Sequence, residues 1–339
     1  MLATADIRAL IAAVEAEILR LIAEHEDAAT RPMYEQIRYH LGLDGEAGVS
    51  GKRMRPLLGL LAYQSLTGEH LPALPGAAAA ELGHNFSLVH DDIEDGDVER
   101  RHRAALWTIH GVAQAINTGD ALFALSRMAL HRLTQLGFSD AKVLALMRLY
   151  DETCLTLCEG QFLDLWTSEA DDRLSVELYF DMIGRKTAAL IAASIEAGAL
   201  LGSDEADVVA RYRRFGWALG LAFQLNDDLL GIWGEARATG KEASDLAKHK
   251  KTLPVIYALE HGGPEDRERL RALLGRPALS AQELDEARRI IERSGGRDFT
   301  RAEARRYRDE ALAALRLTGV SDNAALDRLH EIIVSVIEA

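Results

Sequence analysis

Cysteine, proline and aromatic residues are all scarce in this sequence. Its 339 residues include 2 cysteines and 7 prolines, and aromatic residues make up 6% of the chain. The two cysteines, Cys154 and Cys158, are four positions apart, which predicts one helix face and two buried thiols rather than a metal or redox site. Scarce proline together with abundant alanine, leucine and glutamate predicts a mainly helical protein.

The chain also lacks a basic excess, a long uncharged apolar run and a targeting pattern. Its 39 lysines and arginines against 53 aspartates and glutamates give a net charge of −14, which argues against nucleic acid as a partner. No apolar run reaches about 18 residues without a charge, so no membrane-spanning helix is predicted. The first residues show no basic-then-apolar signal pattern, and acidic residues at positions 6, 15 and 17 argue against a transit peptide. We therefore expect a cytoplasmic protein.

Apolar content and spacing predict a single all-α domain over residues 1–339. Hydrophobic residues make up 48% of the chain, enough for a sizeable core, and no linker-like segment divides it. No strand-like alternation of useful length occurs, residues 31–50 have a less regular pattern, and the helix predicted over 104–136 is interrupted near 117–120. Helical spacing of apolar residues predicts further helices over 3–25, 57–66, 77–89, 141–169, 176–201, 215–233 and beyond 256.

The most unusual stretch places aspartates at the predicted end of an apolar helix and arginines directly after them. Asp91, Asp92 and Asp95 crowd the last turn, where like charges repel and the helix dipole disfavours carboxylates. Divalent cations would remove this cost, and oxygen ligands suit Mg²⁺. Arg100 and Arg101 add fork-shaped donors for phosphate oxygens. Alone, the stretch fits a solvated acidic turn beside a basic one equally well.

A second pair of carboxylates, Asp227 and Asp228, interrupts another core-like helix. Buried carboxylates without cations are expensive or become protonated. Two such interruptions in one chain are hard to explain by structure alone. The pair of sites therefore favours acidic walls around a metal cluster.

Cationic side chains occur at three further places. Lys52, Arg53 and Arg55 stand at a predicted helix start, where they either hold an anion beside free N–H groups or face solvent. Lys186 lies within an apolar helix and either reaches solvent or meets an anion. Five cationic or potentially cationic side chains between 241 and 251, in a loop-like segment, suggest a lid over phosphates.

The ordered set of motifs resembles the trans-prenyltransferases, the isoprenyl diphosphate synthase or polyprenyl synthetase family, over nearly the whole chain. This resemblance implies the all-α isoprenoid synthase fold, a single large helical bundle around a deep central cavity with two aspartate-rich helices facing each other, usually as a homodimer. The matching pieces are Gly51-Lys52-Arg53-x-Arg55-Pro56, Glu81-x-x-His84, Asp91-Asp92-x-x-Asp95 followed by Arg100-Arg101, Gly160-Gln161, Lys186-Thr187, Phe223-Gln224-x-x-Asp227-Asp228, Gly240-Lys241, and Asp245-Leu246 with Lys250.

The resemblance also implies roles for these residues. Three magnesium ions per active site would bind the diphosphate of an allylic substrate. Asp91, Asp95 and Asp227 would hold these ions, and Asp92 and Asp228 would support the three aspartates. Further side chains at or near that diphosphate would be Arg100, Lys186, Thr187, Gln224, Lys241 and Lys250. The second substrate, isopentenyl diphosphate, would be bound by Lys52, Arg55, His84 and Arg101. Among all of these, the catalytic set would be Asp91, Asp92, Asp95, Arg100, Lys186, Asp227 and Lys241.

The implied reaction is chain elongation. Cleavage of the allylic carbon–oxygen bond gives a cation, the homoallylic double bond attacks it, and a proton is lost to the released diphosphate, so no side-chain base is assigned. A lid near residues 234–251 would exclude water. The starters would be C5, C10 or C15 allylic diphosphates.

Product length depends on the helix below the first motif. Ser87 lies one turn before Asp91 and Phe86 is beside it, about 7.5 Å down the axis. A growing tail would pass Ser87 and meet Phe86, unless Phe86 only packs against a neighbouring helix. An aromatic residue at this position resembles archaeal-type geranylgeranyl diphosphate synthases. The predicted product is therefore C20, with C15 as the alternative.

One departure from the family pattern keeps other functions open. The third aspartate of the second motif is replaced by Gly231. Either Glu235, one turn later, supplies the missing oxygen ligand, or Asp227 and Asp228 suffice because the outermost carboxylate acts only through water. The altered motif loosely resembles that of class I terpene cyclases, which would not need Lys52, Arg55, His84 and Arg101. A non-catalytic regulatory subunit is a third hypothesis, although such proteins usually lose carboxylates from the first motif.

Overall fold

Helices form almost all regular structure in the described part of the chain. The computed structural model describes residues 5–45, 51–168, 174–234, 245–321 and 323–337. The α-helices are α1 (Ala5–His25), α2 (Arg31–Leu41), α3 (Met54–Thr67), α4 (Leu74–Glu94), α5 (Leu106–His110), α6 (Val112–His131), α7 (Asp140–Ser168), α8 (Val176–Ile183), α9 (Ala189–Gly202), α10 (Ala206–Trp233), α11 (Leu253–His261), α12 (Pro264–Leu274), α13 (Ala281–Arg293), α14 (Gly296–Arg316) and α15 (Ala324–Ile337). The all-α prediction is confirmed.

Short elements join some of these helices. Leu71–Ala73 and Arg132–Leu136 are 3₁₀ turns, and Gly184–Ala188 is a π-helical turn between α8 and α9. Strands β1 (Glu99–Arg100) and β2 (Arg103–Ala104) pair antiparallel after α4. This hairpin is too short to show alternation of apolar and polar residues. It was therefore not predicted.

Tertiary contacts override local signals in two places. Residues 31–41, which lack a regular pattern, form α2. The interruption predicted near 117–120 is wrong, because α6 continues through these residues and the chain instead breaks at Gly111. Thr118 is buried and donates to Gln36 Oε1 at 2.9 Å, so packing against α2 explains its place inside a helix.

The prediction of two buried thiols is wrong for one of them. Cys154 is half-buried, but Cys158 is exposed on α7. The four-residue spacing correctly indicates neighbouring positions on a helix. It does not tell whether that face points to the core, because exposed Leu155 and Phe162 share this region of α7 with Cys158.

The chain forms two compact units, each assembled from separate stretches. The first unit comprises Met1–Cys154, Ala193–Tyr212 and Val320–Leu329. The second comprises Leu155–Ala192, Arg213–Gly319 and His330–Ala339. The single domain over 1–339 stays a prediction. Within the described ranges, no helix combines the length and apolar character needed to cross a bilayer.

Candidate active site

The first acidic motif lies at the end of α4, in the first unit. The helix ends at Glu94, and the N–H of Asp95 donates to the carbonyl of Asp91 at 2.8 Å. Asp91 and Asp95 are therefore one turn apart, as the spacing predicts. Asp91 is half-buried and Asp95 is exposed, whereas Asp92 between them is buried.

The β1–β2 hairpin returns an arginine to the buried aspartate. Arg100 Nε donates to Asp92 Oδ1 at 2.6 Å. Asp92 Oδ2 is buried and has no hydrogen-bond partner among the described residues. Burial raises the pKa of Asp92 above its ordinary value, although the hydrogen bond and charge of Arg100 oppose this shift. Asp92 thus fixes Arg100 beside the acidic end of α4.

A basic cluster joins the start of α3 to the middle of α4. Arg55 Nη1 lies 3.0 Å from His84 Nε2. Burial, followed by the charge of Arg55, lowers the pKa of His84 well below its ordinary value. The imidazole is therefore neutral and accepts the hydrogen bond from the guanidinium. Burial also lowers the pKa of Arg55 to about 10, which leaves it charged at neutral pH.

A buried hydrogen-bonded chain supports this basic cluster. Arg53 Nη1 donates to Glu81 Oε1 at 2.7 Å, and Asn85 Nδ2 donates to the same oxygen at 2.9 Å. Asn85 Oδ1 accepts from Arg101 Nη2 at 3.4 Å. Arg101 is thereby tied to α4, and its Nη1 has no partner in the described part of the chain. Lys52, by contrast, is exposed.

Sequence patterns missed two members of this region, Asn85 and His40. Neither residue type signals a site by itself, and the helices that bring them here are separate in sequence. His40 on α2 lines a small cavity together with Arg100 and Arg101. Burial, then the charges of Arg101 and Arg100, lower the pKa of His40 to about 3. Its Nε2 atom has no hydrogen-bond partner within the described ranges.

We expect this neutral His40 to make the protein acid-sensitive. A histidine with a lowered pKa binds fewer protons in the folded than in the unfolded state, so its contribution to stability is lost as pH falls below about 6.5. By pH 5 this loss amounts to about 2 kcal/mol of the free energy of unfolding. Urea unfolding at pH 8 and pH 5 should show a correspondingly smaller pH effect in His40→Asn. Replacing exposed His131 with asparagine is the control, and an equal pH effect in both variants would contradict the prediction.

The second acidic motif lies on α10, in the second unit, where the carboxylate of Asp228 accepts three hydrogen bonds. Its carboxylate accepts hydrogen bonds from the Tyr179 hydroxyl at 2.5 Å, from Gln224 Nε2 at 3.1 Å and from the Leu253 N–H at 3.1 Å. Burial raises the pKa of Asp228 to about 7, and these hydrogen bonds oppose the shift. Asp227, next to it, is exposed. Asp228 therefore fixes α10, and Asp227 presents its carboxylate to the surroundings.

The π-helical turn places the next two candidates in this unit. Lys186 Nζ pairs with Asp164 Oδ2 of α7 at 2.5 Å, so the anion that the sequence left open is a carboxylate of the protein. Thr187 donates to Gln224 Oε1 at 2.9 Å. A Cβ added to Gly160 would lie 2.4 Å from the Lys186 backbone nitrogen, so only glycine allows this approach of α7. Such turns are frequent at functional sites.

Lys250 follows a turn over residues 245–249. Desolvation lowers its pKa, but the carboxylates of Asp245, Asp228, Asp227 and Asp164 together raise it above the ordinary value. Lys250 is thus held charged within an acidic region. Two other candidates, Lys241 and Glu235, lie outside the described residues, as does most of the expected lid over 234–251.

Phe86 and Ser87 are both half-buried on α4. The Phe86 ring meets Phe123 of α6 edge-to-face, with centroids 5.2 Å apart, and also contacts His90. Ser87 donates to the carbonyl of His84 at 2.9 Å. Phe86 therefore packs on a neighbouring helix, and this contact fixes the direction of its ring.

The acidic residues suit a hard cation without forming a complete metal site. Among the described residues, no three carboxylate, imidazole or thiol side chains converge into a metal-binding group. Magnesium is commonly held by one or two carboxylates together with substrate phosphates and water rather than by a protein cage. The oxygen donors of Asp91 and Asp95, and the orphaned oxygen of Asp92, fit this mode. Asp227 offers the same chemistry in the second unit.

Known proteins match both the sequence and the fold. A family model described as polyprenyl synthetase matches residues 43–291. A (2E,6E)-farnesyl diphosphate synthase of Mycobacterium tuberculosis is 39% identical over 319 residues, covering 91% of this chain and 86% of the relative. A geranylgeranyl pyrophosphate synthetase structure from Pyrococcus horikoshii has a TM-score of 0.88 at 31% identity, over 97% of this chain and 96% of that one. A Caulobacter crescentus polyprenyl synthase, solved with calcium and isoprenyl diphosphate, has a TM-score of 0.82 at 31% identity, over 98% and 96%.

Proposed function

Because this chain belongs to the polyprenyl synthetase family and is a prenyltransferase, we propose that it condenses isopentenyl diphosphate with an allylic diphosphate into a linear prenyl diphosphate. A basic cluster supports this proposal: Arg55 of α3 contacts His84 in the middle of α4, and Arg101, in the hairpin after α4, is bonded to Asn85. His84 and Asn85 precede the acidic end of α4 by about two turns. An elongating enzyme holds two diphosphates and needs both groups. A cyclase holds one, so the cluster favours elongation.

In the first unit, the acidic and basic groups have separate tasks. Asp91 and Asp95 would hold Mg²⁺ on the allylic diphosphate, and Asp92 would support them by keeping Arg100 in place. The guanidinium groups of Arg55 and Arg101 would bind the phosphate oxygens of isopentenyl diphosphate, since forked donors match phosphate geometry. The remaining proposed contacts to that substrate are Lys52 and His84.

Because His84 is neutral, its role would be to orient Arg55 rather than to offset the charge of a phosphate. Because its pKa is lowered, it accepts from Arg55 and leaves the other guanidinium nitrogens free to turn toward phosphate. Glu81 and Arg53 hold α3 and α4 at this separation, and Asn85 holds Arg101. The cluster is therefore pre-organised, which lowers the entropy lost on binding.

In the second unit, Asp227 would hold Mg²⁺ on a diphosphate, with Asp228 fixing the helix behind it. Lys186 and Lys250 would add positive charge, while Thr187 and Gln224 form the hydrogen-bonded link between the π-helical turn and α10. When the substrate binds, Lys186 would lose part of its interaction with Asp164 and would contact the diphosphate instead. The role proposed for Lys241 follows only from the motif.

The main catalytic task is to neutralise the diphosphate leaving group. Bound Mg²⁺, for which we propose three ions, would neutralise the charge that develops on the diphosphate as the carbon–oxygen bond breaks. Arg100 adds a preorganised cationic donor at the acidic end of α4. The electron pair of the homoallylic double bond then forms the new carbon–carbon bond, and a proton leaves to the released diphosphate. No side-chain base is needed.

For the product, we propose geranylgeranyl diphosphate (C20), with farnesyl diphosphate (C15) as the alternative. Names of similar proteins support a short-chain product but include both lengths. Phe123 holds the ring of Phe86, which lies one turn and one residue before Asp91 on α4. This position supports a pocket of limited depth for the growing chain. Its position relative to the metal-binding carboxylates is the basis for choosing C20.

Phe86→Ala is expected to lengthen the product by at least one C5 unit, because the truncated side chain no longer meets the growing tail. Mass spectrometry of the products measures this. The control is Phe138→Ala, which removes another half-buried aromatic ring of the first unit, one packed on Tyr63. An unchanged product length in Phe86→Ala, or the same change in both variants, would show that Phe86 does not limit the length of the product.

Product analysis of the purified protein tests the function itself. The protein is incubated with Mg²⁺ and C5, C10 or C15 allylic diphosphates, each with and without isopentenyl diphosphate. Longer linear diphosphates that form only with isopentenyl diphosphate support elongation. Cyclic hydrocarbons or alcohols formed without it would identify a terpene cyclase. No product under any condition would favour a non-catalytic subunit.

We also propose a homodimer built on α7, with a second copy of this chain as the partner. Leu155 and Phe162 are 63 and 64% exposed, and their spacing of 7 residues keeps them on one helix face. The combined variant Leu155→Glu/Phe162→Glu is expected to sediment as a monomer, because it places charges in an apolar contact. Leu71→Glu, at another exposed leucine, is the control. A wild-type monomer at micromolar concentration would refute the proposal.

A further inference from the structure

The small cavity bordered by His40, Arg100 and Arg101 lies beside the guanidinium that we assign to isopentenyl diphosphate. Its volume is about 20 Å³. A buried water molecule needs about 10–15 Å³ and two to four polar partners, so the cavity has room for one water and for no phosphate group. The polar atoms at its wall therefore decide what it holds.

Arg101 enters this region from a strained hairpin turn. The register of β1 and β2 leaves Arg101 and His102 as a two-residue turn, with φ angles of 53° and 62°. Such left-handed angles suit asparagine and glycine, and other residues keep them only where surrounding contacts hold the backbone. The surroundings of Arg101 must therefore supply these contacts.

Two contacts hold part of the Arg101 guanidinium. Asn85 Oδ1 accepts from its Nη2 at 3.4 Å. A Cβ added to Gly51 would lie 2.9 Å from Cζ, 2.9 Å from Nη2 and 3.1 Å from Nη1, so the flat face of the guanidinium lies against the backbone of Gly51. Neither contact satisfies Nη1, which is buried and has no hydrogen-bond partner among the described residues. A buried charged donor without a partner is costly, so a partner at Nη1 is favoured.

His40, which is buried on α2, offers the complementary atom. Its imidazole donates a hydrogen bond to the backbone carbonyl of Asn85. Because Nε2 is buried and has no partner in the described part of the chain, this bond uses Nδ1. In the neutral imidazole Nδ1 then carries the proton, and Nε2 has a lone pair that accepts a hydrogen bond. Burial, followed by the charges of Arg101 and Arg100, lowers the pKa of His40 and keeps it neutral.

We propose that one water molecule in this cavity accepts a hydrogen bond from Arg101 Nη1 and donates one to His40 Nε2, which makes His40 a positioning residue for isopentenyl diphosphate. This inference rests on the proposed function and deepens it, because Arg101 is assigned to the second substrate. The two protein atoms match the water, since a guanidinium nitrogen only donates and this imidazole nitrogen only accepts. Asn85 contacts both side chains, so the water completes a fixed arrangement around the guanidinium.

Two variants of the full-length protein separate the water contact from the rest of His40. Asparagine keeps a donor near the position of Nδ1 and has no atom at the position of Nε2, whereas glutamine places its amide oxygen near Nε2. His40→Asn should therefore lose the water contact, and His40→Gln should keep it. Tyr39→Phe is the matched control, because Tyr39 lines the same cavity but its hydroxyl donates to the carbonyl of Ala104 at 3.0 Å.

The measured quantities are Kd for isopentenyl diphosphate, determined by calorimetry without turnover, and kcat and KM for each substrate. We expect His40→Asn to raise Kd and KM for isopentenyl diphosphate by about 3- to 10-fold, as loss of one hydrogen bond does. It should change kcat and the allylic KM by less than about twofold. His40→Gln and Tyr39→Phe should keep all four values within about twofold of wild type. Circular dichroism checks that each variant is folded.

Coupling to Arg101 distinguishes positioning from a merely structural role of His40. Lysine has no Nη1 atom, so Arg101→Lys has already lost the water contact. In that background, His40→Asn should change Kd for isopentenyl diphosphate by less than about twofold, because its effect acts through the missing guanidinium. A crystal structure of the wild type should show one ordered water about 3 Å from both nitrogens.

Three results would overturn the proposal. They are an unchanged Kd in folded His40→Asn, an equal increase of Kd with and without Arg101→Lys, and a wild-type crystal structure with no water between the two nitrogens. If the wild type binds isopentenyl diphosphate and elongates in the product assay, any of these results removes only the role of His40. If the wild type neither binds isopentenyl diphosphate nor elongates, the proposed function fails as well.

Discussion

Asp91→Asn is expected to lower kcat for chain elongation by roughly 1,000-fold, the scale on which loss of one preorganised charge-stabilising group acts. Asn keeps the shape of the side chain but removes the negative charge that would hold Mg²⁺ on the leaving diphosphate. The assay is steady-state formation of prenyl diphosphate at saturating Mg²⁺. Raising Mg²⁺ further should recover only part of the rate, because the geometry of the ion depends on the missing oxygen.

The free energy of unfolding distinguishes a functional role of Asp91 from a structural one. Asp91 lies in the last turn of α4 with Asp95 one turn later, where like charge and the helix dipole both disfavour a carboxylate. The free energy of unfolding without Mg²⁺ should therefore not fall by more than about 1 kcal/mol in Asp91→Asn. Exposed Glu69→Gln is the control for loss of a charge in the first unit. A variant that keeps more than a tenth of wild-type kcat would exclude Asp91 as a metal ligand.

The second large effect is expected at Arg101, which we assign to isopentenyl diphosphate. Arg101→Lys should raise KM for that substrate by about 10- to 100-fold, because lysine replaces a forked donor by a point charge and cannot keep the bond to Asn85 as well. KM for the allylic substrate should change by less than about threefold. Initial rates with each substrate varied in turn measure both values.

Arg103→Lys is the matched control for Arg101→Lys. Arg103 lies two residues further along the same hairpin, but its guanidinium pairs with Asp44 and stacks on the Tyr39 ring at 3.7 Å. Its replacement should reduce thermal stability and leave both KM values unchanged. Equal increases of both KM values in Arg101→Lys would instead indicate a general distortion of the first unit.

Several features of this protein follow from local sequence. The end of α4 follows from its aspartates and the glycine after them, and the one-turn relation of Asp91 to Asp95 follows from their spacing. The long helix α7 follows from its apolar period. These features depend on residues near one another in the chain. Local rules of helix geometry and charge are therefore sufficient to predict them.

Other features depend on contacts between distant residues, and sequence patterns gave no signal for them. His40 is neutral because it is buried near Arg100 and Arg101, which lie some sixty residues away in the chain. The helical pattern also failed to show which face of α7 is exposed at Cys158. A buried environment is created by the packing of several segments, so a single segment cannot reveal it.

The sequence by itself determined the all-α fold, the family and the positions of the two acidic motifs. Each of these follows from helix period, residue type and order along the chain. Only the tertiary structure decided that Asp228 is held by Tyr179 and Leu253, that Lys186 meets Asp164, and that His40 borders one cavity with Arg101. The physical reason is that these contacts form across helices or turns, where distance in space does not follow separation in sequence.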